Sequence, residues 1–380
     1  MPRVAHRRGG PGAHGSRARG DAHPESDLDV CIVVPQKNRA LRDAIREIAK
    51  RAGGINIALV LTALGMLIAA LQRWSPAPER RTALFTLAVL FSGGTVITAG
   101  WFANLFDAWV LVLIAAGVLL LSRERSISAG VLFGIAFFCK ETAALALPFL
   151  VWLWTARLIS ARHAFRAGAP AALLGIAYFL LRSTIIPLGS TADTHQFRAE
   201  HFLPTLLGYA ESFWRQTLWT DELRILGLSF FALSLFAVPT WRTRAAYLLF
   251  IIAGAVIYWE MFGLYQRGVL MHYLIFVGRL YLIPATLTLF MIAAARKEWA
   301  LAVLAVPLLS GAIVTYVRYE RFQQAYQDLY RRASTTPGIL RIHYPMKPLN
   351  DPRRGLEIGD YPDAHWRLEP ATGELHGKKP

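Results

Sequence analysis

What most constrains this chain is a series of apolar stretches that recur, at nearly bilayer length, from about residue 55 to residue 317. Charges, prolines and glycines divide them into 55–72, 83–99, 106–121, 127–139, 142–158, 170–187, 225–240, 245–261, 273–294 and 299–317. Roughly 20 apolar residues cross a hydrocarbon core as a helix. Backbone in lipid must satisfy its own hydrogen bonds, so each stretch reads as an α-helix. The expectation is an all-α polytopic membrane protein with about ten transmembrane helices, integral to a bacterial inner (plasma) membrane. Stretches 127–139 and 142–158 are the weakest fit, the first because it is short for a span. They read as a re-entrant pair or as two tilted helices hinged at Cys139-Lys140-Glu141. Composition agrees: 54% of residues are hydrophobic and 17% charged, against about 25% charged in soluble domains. Global disorder is excluded, and with only Cys31 and Cys139 so is a disulfide scaffold. The net charge of +16 would suggest nucleic acid in a soluble protein. In a membrane protein such charge collects in cytoplasmic loops. The expected partner is therefore the lipid bilayer, with no nucleic acid.

Lys and Arg alternate between the loops. One set holds Arg73, Arg80 and Arg81, then Arg123 and Arg125, Arg162 and Arg166, Arg242 and Arg244, and Arg296 and Lys297. The other set is nearly bare: 100–105 has none, 140–141 has Lys140 and 262–272 has Arg267. The first set is assigned to the cytoplasm, which puts 188–224 and the C-terminal tail outside. One conflict follows. Span 55–72 must then run inward, leaving outside an N-terminal segment rich in Arg and Lys. That segment is no signal peptide, because no apolar core follows its first arginines.

Residues 15–30 read Gly-Ser-Arg-Ala-Arg-Gly-Asp-Ala-His-Pro-Glu-Ser-Asp-Leu-Asp-Val. Asp27 and Asp29 alternate, so on a strand both carboxylates share a face. Val30 to Val34 continues that strand, and 38–51 fits an amphipathic helix through Leu41, Ile45 and Ile48. Gly-Ser ahead of an Asp-x-Asp pair resembles the minimal nucleotidyltransferases of the polymerase-beta superfamily. The resemblance implies a small, incomplete α/β segment over 1–52. It implies nucleotide binding at Gly15 and Ser16, Mg²⁺ at Asp27 and Asp29, and a nucleoside triphosphate (NTP) as partner. The family's third carboxylate lies on a later strand. The candidate here, Ile55 to Leu61, has no acid, so weak nucleotidyl transfer is expected.

The body, 53–317, carries Asn56, then Asn104-Leu105-Phe106-Asp107, then a small-residue stretch from Gly130 ending in Cys139-Lys140-Glu141-Thr142-Ala143, with Pro148 beyond. It resembles the C-superfamily of membrane glycosyltransferases, and most closely the protein-mannosyltransferase type. The resemblance implies transfer of sugar from a polyprenyl-phosphate carrier to an external acceptor. Asp107, Lys140 and Glu141 fall on one side of the expected membrane, where charges are expensive. Asp107 is the expected acid/base or metal ligand, and Glu141 a second catalytic acid. Lys140, a lone cation on that side, is expected to hold the carrier phosphate. A bland alternative pairs Lys140 with Glu141 at a helix end.

The outer segment 188–224 contains His195, His201 and an amphipathic stretch at 204–218. It reads as an interfacial helix, either an anchor or a lid. Glu260, Arg267, His272 and Arg279 could line a polar cavity at the same boundary. Residues 318–380 read as a polar tail. The family's first span and first outer loop are absent, and the nucleotidyltransferase-like segment stands in their place. The expectation is therefore a fused or truncated product of impaired activity. A membrane-tethered nucleotidyltransferase and a non-catalytic membrane protein remain as alternatives.

Overall fold

The computed structural model describes residues 39–76, 78–92, 95, 105–185, 235, 237, 240–260, 282–335, 340–343, 349–351, 356–359, 363–368 and 375–377. Segments 1–38 and 188–224 lie outside them.

The first helix, α1 (Arg39–Trp74), is a single 36-residue rod. The amphipathic helix expected at 38–51 and the span at 55–72 are one element. The strand expected at Ile55 to Leu61 is a correction, because this stretch is helical. Val60, Ala63, Leu64, Leu67, Ala70 and Leu71 are buried while Ile55, Ile57 and Leu61 are exposed. That is a 3.6-residue stripe, not alternation. Gly53 and Gly54 cost about 1 kcal/mol each against alanine but break no hydrogen bond, and no proline interrupts the run.

Next come α2 (Glu79–Leu90), α3 (Leu105–Leu121) and α4 (Ser126–Phe137). A 3₁₀ turn at Glu141–Leu145 leads into α5 (Ala146–Thr155). The hinge expected at Cys139-Lys140-Glu141 lies where the helical path breaks, with Lys140 extended at φ −169° and ψ 148°. Then follow α6 (Ala161–Ile185), α7 (Trp241–Glu260), α8 (Leu282–Ala294) and α9 (Glu298–Thr335).

The packing forms a chain of neighbours. Helix α1 lies on α3, α3 on α4 and α4 on α6; α5 meets α7, and α2 meets α8 and α9. Every residue of α8 is buried, as expected of a helix apolar on all sides. Its Phe290 sits edge-on to Trp74, Phe85 and Phe149 at centroid distances of 6.3, 6.1 and 5.9 Å. One ring thereby ties α1, α2 and α5 to the centre. On α4, Gly130 and Gly134 let α6 approach. A Cβ at Gly130 would collide with the Ala167 carbonyl oxygen, and one at Gly134 with Leu174. Small residues at such positions let two helix backbones approach closely.

Among the described residues two helices are long and apolar enough to cross a membrane, Gly54–Trp74 and Ala161–Leu181. Phe106–Leu121, Ser126–Phe137, Glu141–Thr155 and Leu282–Ala294 are apolar but shorter. Large apolar side chains point outward along several helices, among them Ile127, Val131 and Ile135 of α4 and Leu173, Ile176 and Leu180 of α6.

One loop expectation is corrected. Residues 161–169, expected as part of a loop, open α6. Ser160 Oγ accepts the His163 N–H at 3.3 Å and caps that helix. The polar tail expected from 318 begins as helix, since α9 continues to Thr335. Beyond it stand five short strands: β1 (Leu340–His343), β2 (Leu349–Asp351), β3 (Leu356–Gly359), β4 (Trp366–Leu368) and β5 (Leu375–Gly377). They form one sheet in the order β2-β3-β1-β4-β5. The central β1 runs parallel to β3 and β4, while the outer strands pair antiparallel. The Arg332 guanidinium of α9 lies 4.6 Å from the Trp366 ring, joining helix to sheet.

Candidate functional site

Asp107 lies in the first turn of α3, where a helix N-terminus favours a negative charge. Lys140 lies in the extended link after α4. The two are 33 positions apart, and packing of α3 on α4 brings them together. The Lys140 Nζ donates to Asp107 Oδ2 at 2.8 Å. The Asp107 side chain is almost wholly buried, at 2% exposure, and the Lys140 side chain is 21% exposed. Asp107 Oδ1 is buried and accepts no hydrogen bond from a described residue. An oxygen in that position carries a desolvation penalty that a second donor would remove.

Next to the pair, Glu141 opens the 3₁₀ turn. Its Oε1 accepts a hydrogen bond from the Tyr178 hydroxyl of α6 at 2.8 Å. Tyr178 is fixed edge-on to Phe138 and Phe179, at 5.6 and 5.2 Å between centroids. Thr142 is buried, and its hydroxyl finds no partner among the described residues. Asn56 of α1 is fully buried. The site thus offers an ion pair, a tethered second carboxylate and an unsatisfied hydroxyl, all on apolar helices. Such a set can hold an anion, accept a proton and orient a hydroxyl.

Three of the residues expected from sequence therefore cluster: Asp107, Lys140 and Glu141. Two details differ. Lys140 is no lone cation, because Asp107 neutralises it. Nor does Lys140 pair with Glu141, which accepts a hydrogen bond from Tyr178. Consecutive side chains on an extended link diverge, so the dipeptide splits between two neighbours. Tyr178 went unnoticed in the sequence, where a tyrosine inside an apolar span looks like interfacial packing. Gly15, Ser16, Asp27 and Asp29 lie outside the described residues, as do His195, His201, Arg267, His272 and Arg279. Among the described residues no three His, Cys, Asp or Glu side chains gather to hold a metal ion.

Comparison with known proteins adds two findings. A family described as "Nucleotidyltransferase domain" matches residues 12–73. That range holds the Gly15-Ser16 and Asp27-x-Asp29 motif and runs through α1. The chain is also 36% identical over 83 residues to the alpha-(1->6)-mannopyranosyltransferase A of Mycobacterium tuberculosis. The aligned stretch is 20% of this chain, and the chain covers 16% of that protein's length. Both matches are to transferases. No solved structure matches.

Proposed function

We propose that this chain is an integral membrane glycosyltransferase that moves a sugar from a polyprenyl-phosphate carrier to an acceptor hydroxyl. The observation that carries the reading is the Lys140–Asp107 pair, its carboxylate buried and its lysine half-buried, beside Glu141. A charge pair in apolar surroundings is costly to maintain, and such residues mark function more often than stability. The mannosyltransferase likeness makes polyprenyl-phosphate mannose the first donor to try. The outward-facing apolar side chains support the membrane setting, with about ten spans once the remaining stretches are counted.

In the proposed reaction the carrier phosphate takes Asp107's place on Lys140. An Arg or Lys hydrogen bond to phosphate is charge-assisted and strong. Asp107, released, accepts the acceptor's proton. The acceptor oxygen bonds to the sugar's anomeric carbon as the bond from that carbon to the phosphate oxygen breaks. The phosphate leaves with its lipid and its charge stays on Lys140. Glu141, held by Tyr178, orients the acceptor hydroxyl. Attack from the opposite face inverts the anomeric centre.

The test uses the full chain in nanodiscs with labelled donor. Asp107→Asn should still bind carrier but lose transfer by about 10²- to 10⁴-fold. Lys140→Gln should weaken carrier binding about tenfold or more, and Arg123→Ala should leave it unchanged. Equal binding and turnover in all four proteins would end this reading.

The family match at residues 12–73 favours a second reading for the head. Gly15 and Ser16 would bind an NTP, and Asp27 and Asp29 would hold Mg²⁺ against its phosphates. Because Ile55 to Leu61 supplies no third acid, transfer from labelled NTP should be slow. Fast transfer abolished by Asp27→Ala or Asp29→Ala would make the head the seat of activity.

A further inference from the structure

The opposite, arginine-rich end of the helices carries a cleft of about 690 Å³. Four chain segments build it: the end of α1, the turn after α3, the turn after α5, and the start of α6. Its lining includes Arg73, Arg157, His163 and the indoles of Trp74 and Trp154, with Glu124 as the single acid. That volume lies within the range of small-ligand sites.

Arg73 and Arg157 are exposed, and two features of the cleft bear on what it could hold. First, among the described residues no carboxylate pairs with the Arg73 or Arg157 guanidinium, although Glu124 borders the same space. Second, Arg157 adopts φ 59°, a left-handed conformation that glycine takes without strain. It closes α5 with Arg157 N–H to Trp154 O at 2.9 Å and Leu158 N–H to Leu153 O at 3.0 Å. The same cap closes α3, with Glu124 at φ 63°, and α8, with Arg296 at φ 60°. At α8 the side chain has a structural task, because Arg296 Nε donates to Ser75 Oγ at 2.9 Å. Arg157 has no such partner within the described fold, yet an arginine occupies a position suited to glycine.

We infer that this cleft binds the phosphate of an anionic phospholipid headgroup. Two guanidiniums and an imidazole suit a phosphate, which arginine contacts through paired N–H groups. The two tryptophans suit a headgroup at the membrane surface rather than an ion in bulk water. The inference rests on the membrane setting proposed above but not on the sugar-transfer site, which lies at the other end of α3 and α6.

The test measures retention of phosphatidylglycerol against phosphatidylcholine by the detergent-purified full chain, using native mass spectrometry. Inorganic phosphate forms a separate arm. The wild type should retain phosphatidylglycerol selectively. Arg73→Gln and Arg157→Gln should each lose that retention at least tenfold, and Arg123→Gln, whose side chain is outside the lining, should not. Arg157→Gly separates backbone from side chain: it should raise Tm by about 1–3 °C by relieving the left-handed residue while losing the lipid. Equal retention of both lipids, or equal losses in all three Gln variants, would overturn the site. Inorganic phosphate binding as tightly as the lipid would overturn the lipid source. A chain that stays monodisperse without detergent would overturn the membrane setting itself, a result distinct from a detergent-dependent chain lacking lipid preference.

Discussion

Lys140 and Asp107 show how differently a charge behaves once it is enclosed. On a surface the pair would contribute about 0–1 kcal/mol. Here the Asp107 side chain is 2% exposed, so losing its partner strands a buried charge. Lys140→Ala should cost about 3–5 kcal/mol of stability, seen as a lower unfolding temperature in detergent. The neutral double variant Asp107→Asn with Lys140→Gln should recover most of that loss. If Lys140→Ala unfolds at the wild-type temperature, the ion pair is not formed in solution. Among the described residues Arg81 is also an enclosed charge, at 2% exposure. It donates to the carbonyls of Pro76 at 2.8 Å and Ser75 at 3.3 Å. Burial lowers its pKa, Glu298 raises it, and Arg296 lowers it further. This arginine clamps the α1–α2 turn beside the α8–α9 turn. The sequence placed it among loop charges and gave no sign that it was buried.

Among the elements, α4 and α6 carry the closest approach. Gly130 faces the Ala167 backbone carbonyl and the Pro170 ring, and neither can swing aside as a long side chain could. Gly130→Ala should therefore destabilise by about 1–3 kcal/mol, measurable as a drop in Tm. Gly168→Ala should be nearly neutral or mildly stabilising, because nothing lies within 4 Å of its added Cβ and alanine favours helix. If the two variants unfold alike, the α4–α6 contact is looser than described. This pairing also positions the site, since α4 ends two residues before Cys139-Lys140 and α6 brings Tyr178 to Glu141. In the sequence the small residues from Gly130 onward stood only as part of a family resemblance, and neither the packing face they form nor the helix that meets it followed from them.

At the scale of the whole molecule, alternation of charge between loops predicts sidedness. Residues 73–82, 122–126, 159–169, 241–244 and 295–298 should label from the cytoplasm as single cysteines, and 200–220 from outside. Labelling of 200–220 only from the cytoplasm would reverse the assignment. The described turns fit this grouping: Arg73, Glu124 and Arg157 border one cleft, and Arg296 reaches Ser75 across the same end.

Helical class, the break at Cys139-Lys140-Glu141 and the candidates Asp107, Lys140 and Glu141 were all legible from the sequence, for one reason. Hydropathy and charge act locally: a buried stripe every 3.6 residues makes a helix, and a charge inside an apolar run stands out wherever the run folds. The nucleotidyltransferase motif was legible in the same way, as spacing along one stretch. What depended on contacts between distant residues was not. Only tertiary packing decided that Lys140 faces Asp107 across 33 positions, that Tyr178 holds Glu141, that α8 is the enclosed helix, and that the polar tail closes into a five-stranded sheet. Each of these turns on which surfaces meet. A one-dimensional pattern records which face of an element is apolar, but the partner of that face depends on the shapes and volumes of all the others.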